Sequence, residues 1–270
     1  MIKRFTLLFL LMFVLCTSAS VFAVPVAYRS WTYLDLTALL SPQWSYTLLT
    51  SHSYEYERKN DPKSNEEKKT FFYEVFTGPT YTMRFDNLTI KLPLWYYYQG
   101  FPFRKEVSPT KKDDYCYAHN IEFLPIIEYK IGKLKLWNRI IFHNKVYSTW
   151  FKYTTDSQKK GYSLLIREYF RIEYSITDQF AVMIGDEIFQ GVIDDDETKD
   201  ITGKPLTPGF EYGGFSQNRV YVGFSYKFTP TIILTPMYMY QTQYFETGNK
   251  LTEKDHYLFT TLTFLFKTYE

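Results

Sequence analysis

Apolar and polar side chains alternate along most of this chain, from Trp44 to Phe266. In residues 43–58, for example, Tyr46 and Tyr54 occupy even positions, whereas serine and glutamate side chains such as Ser51 occupy odd positions. A β-strand sends successive side chains to opposite faces, so each such stretch predicts a strand with one apolar and one polar face. A long succession of these strands predicts an all-β barrel.

The first residues have the pattern of a secretory signal peptide. Two basic residues and an apolar run over residues 5–15 precede a small-residue site that ends at Ala23. We therefore interpret residues 1–23 as a cleaved signal for export. A lipoprotein alternative would acylate Cys16, but the preceding Leu15 is bulkier than the small residue that such sites usually carry.

The charge balance gives no reason to expect nucleic acid as a partner. The sequence has 31 Lys and Arg and 29 Asp and Glu residues, and removal of the signal peptide deletes two basic residues, which leaves a formally neutral chain. Cys116 is then the only cysteine, which excludes an internal disulfide and a thiolate metal cluster. We expect no nucleic acid, metal or cofactor.

Strands are the only means by which the processed chain could enter a membrane. No later segment approaches the roughly eighteen apolar residues that a helical span requires. Aromatic residues make up 20% of the chain, with 26 Tyr and 24 Phe. This abundance suits the aromatic girdles of a membrane barrel, although a large soluble β-protein could also carry it.

Eleven strands are predicted, and the connections between them alternate in length. Tight turns at 86–87 and 131–132 alternate with longer polar connections such as 59–69 and 191–217. Short turns at one rim and long loops at the other are typical of outer-membrane barrels. The predicted strands are 31–40, 43–58, 70–85, 88–99, 115–130, 134–149, 161–175, 179–190, 218–229, 232–246 and 255–267.

The tight hairpins place polar residues of both arms on the same face. Glu128 opposes Lys135 around one turn, and Arg167 opposes Glu187 around another. The hairpin at 86–87 agrees in parity with these two. Because a slip of one residue would exchange the two faces, this agreement supports the predicted pairing of strands.

The number of strands is the least regular feature of this prediction. Single-chain bacterial barrels normally close with an even number. We therefore predict an antiparallel up-and-down transmembrane β-barrel of ten strands over residues 43–270, with twelve strands as the alternative. Residues 24–42 would be a periplasmic segment, a lumen segment or a first strand. Pro93, Pro125 and Pro236 are expected to mark bulges or shortened strands.

The polar faces of the strands are predicted to form the lumen, with charges of both signs interleaved. One interpretation is a lumen filled by cross-strand ion pairs, and the other is a polar conduit or small site in which Arg139, Arg167 and Arg171 attract anions. Barrels of about eight strands have interiors just filled by side chains, so we favour the filled lumen. The predicted lumen charges are Glu122, Glu128, Lys135, Arg139, Lys145, Arg167, Arg171, Glu173, Glu187, Arg219 and Lys227.

Signals for catalysis are weak. None of the four histidines precedes a serine at the spacing that places a base and a nucleophile side by side on one strand face. His143 is predicted to face inward and could act as a base, but the sequence identifies no partner for it. The acidic run at 194–197 lacks the spacing and the glycine of a calcium loop, so we interpret it as a solvated charge run.

Four segments carry distinctive runs, namely Asn138-Arg139, 167–174, 186–189 and 218–229. Together they resemble a bacterial family of uncharacterised outer-membrane barrels, one of the domains of unknown function. The resemblance implies an outer-membrane barrel of undefined role, with no catalytic residues. The chain departs from a common barrel pattern because Phe266 is followed by further residues, whereas many barrels end on an aromatic assembly signal.

The sequence thus predicts an exported integral protein of the cell outer membrane, either structural or a narrow passive pore, and not an enzyme. Its expected partners are outer-membrane lipids and the barrel-assembly machinery. Two alternatives remain open. One is a membrane-embedded lipid-modifying enzyme that would depend on His143 or His52, and the other is a soluble exported barrel whose apolar face turns inward around a ligand.

Overall fold

The computed structural model describes residues 24–60, 69–101, 116–148, 163–193, 214–245 and 250–269. Nearly all of these residues belong to β-strands, and residues 1–23, where the signal peptide is predicted, lie outside them. The strands are β1 Val26–Leu39, β2 Trp44–Lys59, β3 Lys69–Arg84, β4 Leu88–Phe101, β5 Cys116–Phe123, β6 Ile126–Ile131, β7 Leu134–Ser148, β8 Ser163–Ser175, β9 Phe180–Ile193, β10 Gly214–Thr229, β11 Ile232–Phe245 and β12 Lys250–Lys267.

The strands form one closed barrel. β5 and β6 lie end to end at one position, because each pairs with both β4 and β7. Twelve strands therefore occupy eleven positions around the wall. Every neighbouring pair is antiparallel except β1 and β12, which pair in parallel from Val26↔Lys254 to Leu39↔Lys267. This parallel seam closes the barrel.

The structure confirms an all-β, mainly antiparallel barrel but corrects the predicted number of strands. Ten strands were favoured because an antiparallel closure requires an even number of positions. A parallel seam allows an odd number, so β1 (Val26–Leu39) joins the wall between β2 and β12. Of the alternatives for residues 24–42, the first strand is therefore the one that the structure adopts.

The two rims of the barrel differ in their connections. Five short turns form one rim, here called the short-turn rim. At the Asp86-Asn87 turn, the backbone N–H of Phe85 donates to the Leu88 carbonyl, and the N–H of Leu88 donates to the Phe85 carbonyl. The opposite rim, the loop rim, receives the longer connections, including 194–213, which contains the acidic run and lies outside the described residues. Because the number of positions is odd, β1 begins at the loop rim and β12 ends at the short-turn rim.

Alternation along each strand separates a buried inner face from an exposed outer face. In β9, Ala181, Met183 and Glu187 are buried, whereas Val182 and Ile188 are exposed. The apolar core lies inside the barrel and is rich in aromatic side chains. No helix among the described residues is long and apolar enough to cross a membrane.

The three strand prolines have different effects. Pro125 lies in the break between β5 and β6, so the predicted shortening is confirmed there. At Pro93 and Pro236 the ladders lose pairs but keep their register, so the predicted bulges are wrong at those two positions. Gly78 lies within one gap and Gly223 beside the other. A Cβ on Gly78 would collide with the backbone carbonyl of Leu94, and a Cβ on Gly223 with that of Pro236. Close backbone approach accommodates each proline without a bulge.

A disulfide across the seam tests the closure. Thr32 and Thr260 are register partners in β1 and β12, and partners in adjacent strands fall within the about 4.4–6.8 Å between Cα atoms that a disulfide requires. In a Cys116→Ser background, Thr32→Cys with Thr260→Cys should therefore form an intramolecular disulfide in the assembled barrel. Non-reducing gel mobility before and after unfolding measures it.

The control pair is Thr32→Cys with Phe264→Cys, which the register places four residues apart along the seam and which should stay reduced. A ten-position barrel would instead bring β12 beside β2. Efficient cross-linking of Thr260→Cys to Thr50→Cys would therefore contradict the parallel seam.

Candidate functional site

A buried carboxylate on β9, that of Glu187, organises the centre of the lumen. Its Oε1 accepts hydrogen bonds from Arg167 Nη2 at 2.7 Å and Nε at 3.1 Å, and its Oε2 accepts one from the Tyr221 hydroxyl at 2.7 Å. Arg219 lies 3.5 Å and Arg139 3.8 Å from the same carboxylate. Three guanidinium groups thus share one fully buried carboxylate, which leaves an excess of positive charge.

Aromatic rings face four arginines of the lumen. The guanidinium carbons of Arg167 and Arg219 lie 4.6 and 4.5 Å from the Phe189 ring centroid. Arg139 lies 5.3 Å and Arg171 4.7 Å from the Trp137 centroid. A cation over a ring face is stabilised by the ring quadrupole, most strongly where water is excluded. The aromatic lining therefore explains how several arginines remain in one narrow interior.

A second buried carboxylate, that of Glu74 on β3, is bound mainly by neutral donors. Tyr33 and Ser51 donate to its Oε2 at 2.8 and 2.7 Å, and Tyr97 and Gln99 donate to its Oε1. These donors come from β1, β2 and β4, so the carboxylate joins four neighbouring strands. Buried ions are tolerated when their lone pairs are satisfied in this way.

Arg29 on β1 holds the parallel seam together. Its guanidinium is buried and lies 2.6 Å from Glu55 on β2, 2.8 Å from Glu253 and 2.8 Å from Asp255 on β12. The Phe71 ring of β3 covers it, with 3.8 Å between the guanidinium carbon and the ring centroid. One side chain therefore connects both strands that flank β1 and contacts a third.

His143 is buried on β7 and has a carboxylate partner. Its Nδ1 lies 2.6 Å from Glu122 Oε1 on β5, and its ring meets the edge of Tyr97 with 5.5 Å between centroids. The inward orientation predicted for His143 is confirmed, and Glu122 is the partner that the sequence did not identify. The other predicted candidate, His52, lies on the outer face with its Nε2 2.9 Å from the Thr70 hydroxyl oxygen.

The short-turn half of the lumen contains a separate set of ion pairs. Lys91 lies 2.6 Å from Glu128, Lys135 lies 2.8 Å from Glu173, and Arg171 lies 3.6 Å from Glu173. The predicted arginine trio is therefore only partly assembled. Arg139 and Arg167 meet at Glu187, but the third arginine there is Arg219, not Arg171.

Two of the predicted lumen charges, Lys145 and Lys227, lie near opposite rims of the barrel. Lys145 is buried near the loop rim, where it is the register partner of Asn120. Lys227 is exposed at the short-turn rim, so it lies outside the buried network. The role predicted for these lumen charges, either ion pairing that fills the lumen or attraction of anions, remains a prediction, since their geometry alone assigns no activity.

Sequence reasoning missed two residues of the network, Glu74 and Arg29. Glu74 could have been found, because it faces Gln99 across the hairpin at 86–87 and shares the inward parity of β3. Arg29 precedes the first strand that the sequence predicts, and its partners Glu253 and Asp255 lie at the other end of the chain. Only the closure of the barrel brings them together.

This arrangement defines a class of protein: a closed β-barrel whose lumen is lined by charged and aromatic side chains and whose exterior is largely apolar. Within the described residues, no three His, Cys, Asp or Glu side chains are grouped so that they could hold a metal ion. The family described as "Protein of unknown function (DUF2490)" matches residues 28–252. The chain belongs to this family, which confirms the resemblance to a domain of unknown function.

Comparison with other proteins adds a solved structure but no curated relative. No curated protein matches the chain. The structure described as "Outer-membrane expressed OmpT of Vibrio cholerae" is 14% identical, with a TM-score of 0.39. The similarity covers 79% of this chain and 60% of that one, so the chain spans less than two thirds of the length of that protein.

Neutralising Glu187 should destabilise the barrel. Glu187→Gln leaves three arginines around a site without a carboxylate, and breaking a buried ion pair costs about 3–5 kcal/mol. We expect the variant in detergent to unfold at a lower temperature and a lower urea concentration. The shift in gel mobility on unfolding measures both. Glu57→Gln is the matched control, because the Glu57 side chain is 55% exposed. Equal resistance of the two variants would contradict a central role for Glu187.

Proposed function

We propose that the protein is an integral β-barrel of the bacterial outer membrane whose lumen is closed by its own side chains, so that its role is structural or at most narrowly conducting. The observation that carries the proposal is the reversal of polarity between the two faces of the wall. Charged and hydrogen-bonded side chains point inward among aromatic rings, whereas the outer face exposes many large apolar side chains. Hydrocarbon is the solvent in which that exterior is stable.

The exterior has the zones that a membrane requires. Apolar residues such as Leu258, which is 62% exposed, and Ile172 cover the middle of the wall. Towards the loop rim, Tyr28 stacks on His256 at 5.0 Å, and near the short-turn rim Trp44 packs against Tyr81 at 5.0 Å. An apolar band between two aromatic girdles is typical of outer-membrane barrels.

The contents of the lumen support closure over conduction. Contacts inside the barrel join strands that are not neighbours in the wall: Arg219 of β10 lies 5.3 Å from the Trp31 ring of β1, and Tyr221 of β10 lies 6.0 Å from Phe259 of β12. An interior packed with rings and ion pairs leaves little room for a continuous water column. The same packing would make the barrel rigid, which suits a structural role.

The two alternative functions receive less support. A soluble ligand-binding barrel would turn its apolar face inward, whereas here the largest exposed apolar side chains face outward. A lipid-modifying enzyme needs a base, an orienting group and a nucleophile together near one rim. His52 contacts the Thr70 hydroxyl, but no carboxylate among the described residues is bonded to it, and His143, which does have the carboxylate partner Glu122, is buried inside the barrel. The proposal therefore assigns no enzymatic chemistry.

Membrane partition tests the placement. After lysis of expressing cells and ultracentrifugation, we expect the processed protein in the membrane pellet, resistant to alkaline carbonate and released only by detergent. A periplasmic protein with a signal peptide, expressed in the same cells, is the control for complete lysis. Recovery of the barrel in the supernatant without detergent would contradict the proposal.

Planar-bilayer recordings test the filled lumen. We expect the purified barrel to insert without stepwise current over a wide range of voltages and salt concentrations. The variant Trp31→Ala with Arg219→Ala removes two large side chains from the interior and should raise the conductance if it assembles. Regular current steps from the unmodified protein would contradict a closed interior and would support a narrow pore.

A further inference from the structure

Four polar side chains form a patch on the outer face of β7 to β10. This outer polar patch consists of Asn138, Glu168, Asp186 and Asn218, one from each strand in order. Asn138 Nδ2 donates to Glu168 Oε1 at 3.0 Å, and Asn218 Nδ2 donates to the two Asp186 oxygens at 3.1 and 3.0 Å. Both carboxylates are exposed to the surroundings of the barrel. None of the lumen networks described above includes them.

The patch lies at mid-height on the wall. Asp186 is near the middle of β9, with outward Val182 and Ile184 towards the short-turn rim and Ile188 towards the loop rim. Glu168 has the corresponding position in the middle of β8. In the proposed membrane both carboxylates would therefore face the hydrocarbon interior, where acidic side chains are unfavourable and usually mark a functional site.

The two carboxylates lack the cation that their charge requires. Within the described residues, neither Glu168 nor Asp186 forms an ion pair, and each receives its side-chain hydrogen bonds from a single asparagine. Glu187, on the inner face of β9, differs from them because it contacts three arginines. The outer face of β8 and β9 thus exposes two acidic side chains that have no cationic partner among the described residues.

The geometry of the pair suits one cationic side chain. Phe170 is the register partner of Asp186, and Ile188 is the register partner of Glu168, so the carboxylates occupy one diagonal of a four-residue square. The apolar members of the square are Phe170, 42% exposed, and Ile188, 40% exposed. A lysine or arginine above this square could reach both carboxylates while its aliphatic stem packs on the apolar pair.

A second copy of the chain does not supply that cation. Copies inserted in one membrane by the same route share one orientation, so each residue lies at the same depth in every copy. The outward cationic side chains of the described strands, such as Lys59 and Lys254, lie towards the loop rim. No face of a second barrel therefore matches the patch in depth and charge.

We propose that the outer polar patch docks a membrane-embedded segment of a different protein that carries a lysine or arginine at mid-depth. This inference rests on the proposed membrane placement. Charge complementarity identifies the partner, because a cation buried against two carboxylates removes the unfavourable exposure of both. Between the patch and the loop rim, the outward residues of β8 and β9 are not aromatic, unlike Tyr28 and His256 elsewhere on the wall. They are Leu164, Ile166, Gln190 and Val192.

The test uses defined peptides in place of the unidentified partner. The purified full barrel, labelled through Asp178→Cys at the short-turn rim in a Cys116→Ser background, is reconstituted in phosphatidylcholine–phosphatidylglycerol vesicles. Apolar helical peptides of about 20 residues carry a central lysine or a central leucine and a fluorescent acceptor. We expect energy transfer to report about tenfold stronger association with the lysine peptide.

Isosteric variants identify the surface responsible. Glu168→Gln with Asp186→Asn keeps side-chain shape and the asparagine contacts but removes the charges, and it should lower association of the lysine peptide to that of the leucine peptide. Thr260→Ala, an outward substitution on β12, is the control and should change nothing. Heat-dependent gel mobility verifies that each variant has assembled.

Other results of this experiment would contradict either the docking site or the membrane placement, and the two cases can be told apart. Equal association of both peptides, or a lysine preference that survives the double variant, would overturn the docking site. Carboxylate-dependent energy transfer between two labelled barrels, without peptide, would assign the patch to a second copy instead. Failure of the barrel to float with the vesicles would contradict the proposed membrane placement itself, whereas flotation without a lysine preference would contradict this inference alone.

Discussion

The parallel pairing of β1 with β12 is the constraint on which the rest of this structure depends. Closure removes the two free edges that an open sheet would expose, and it fixes the inward face of all strands at once, because a slip of one residue at any pair would exchange the faces. Arg29 strengthens this seam from inside by joining Glu55 of β2 to Glu253 and Asp255 of β12. The ion pairs of Arg29 exist only when the seam is closed, because their acidic partners lie on both sides of β1.

Much of the wall was predictable from sequence, because period-two alternation determines which face each residue occupies. In the hairpin at 86–87, Thr82 pairs with Lys91 and Glu74 with Gln99, so the polar residues of both arms share one face as predicted. Two other hairpins have the predicted faces but a register two residues away, since Glu128 pairs with Trp137 and Arg167 with Phe189. Parity is therefore a stronger signal than register, which depends on turn geometry.

The closure and the centre of the network were not predictable in the same way. The pattern within one strand does not show whether the first and last strands of the chain pair in parallel, and the preference for an even number disfavours β1 as a strand of the wall. Arg29 also precedes residue 31, where the first predicted strand begins. Around Glu187, Arg219 is the register partner, Arg167 is a diagonal neighbour and Arg139 lies two strands away. Such contacts arise from the stagger of the closed wall, which local patterns do not encode.

The central claim is that hydrocarbon surrounds the outer face of this wall. Spin labels placed singly along β9, from Phe180 to Ile193, test it most directly. The account predicts that labels at Val182, Ile184 and Ile188 collide readily with oxygen and rarely with a water-soluble nickel complex, as expected for lipid contact. If these outward labels met the nickel complex as often as a label at the exposed turn residue Asp178, the claim would be contradicted.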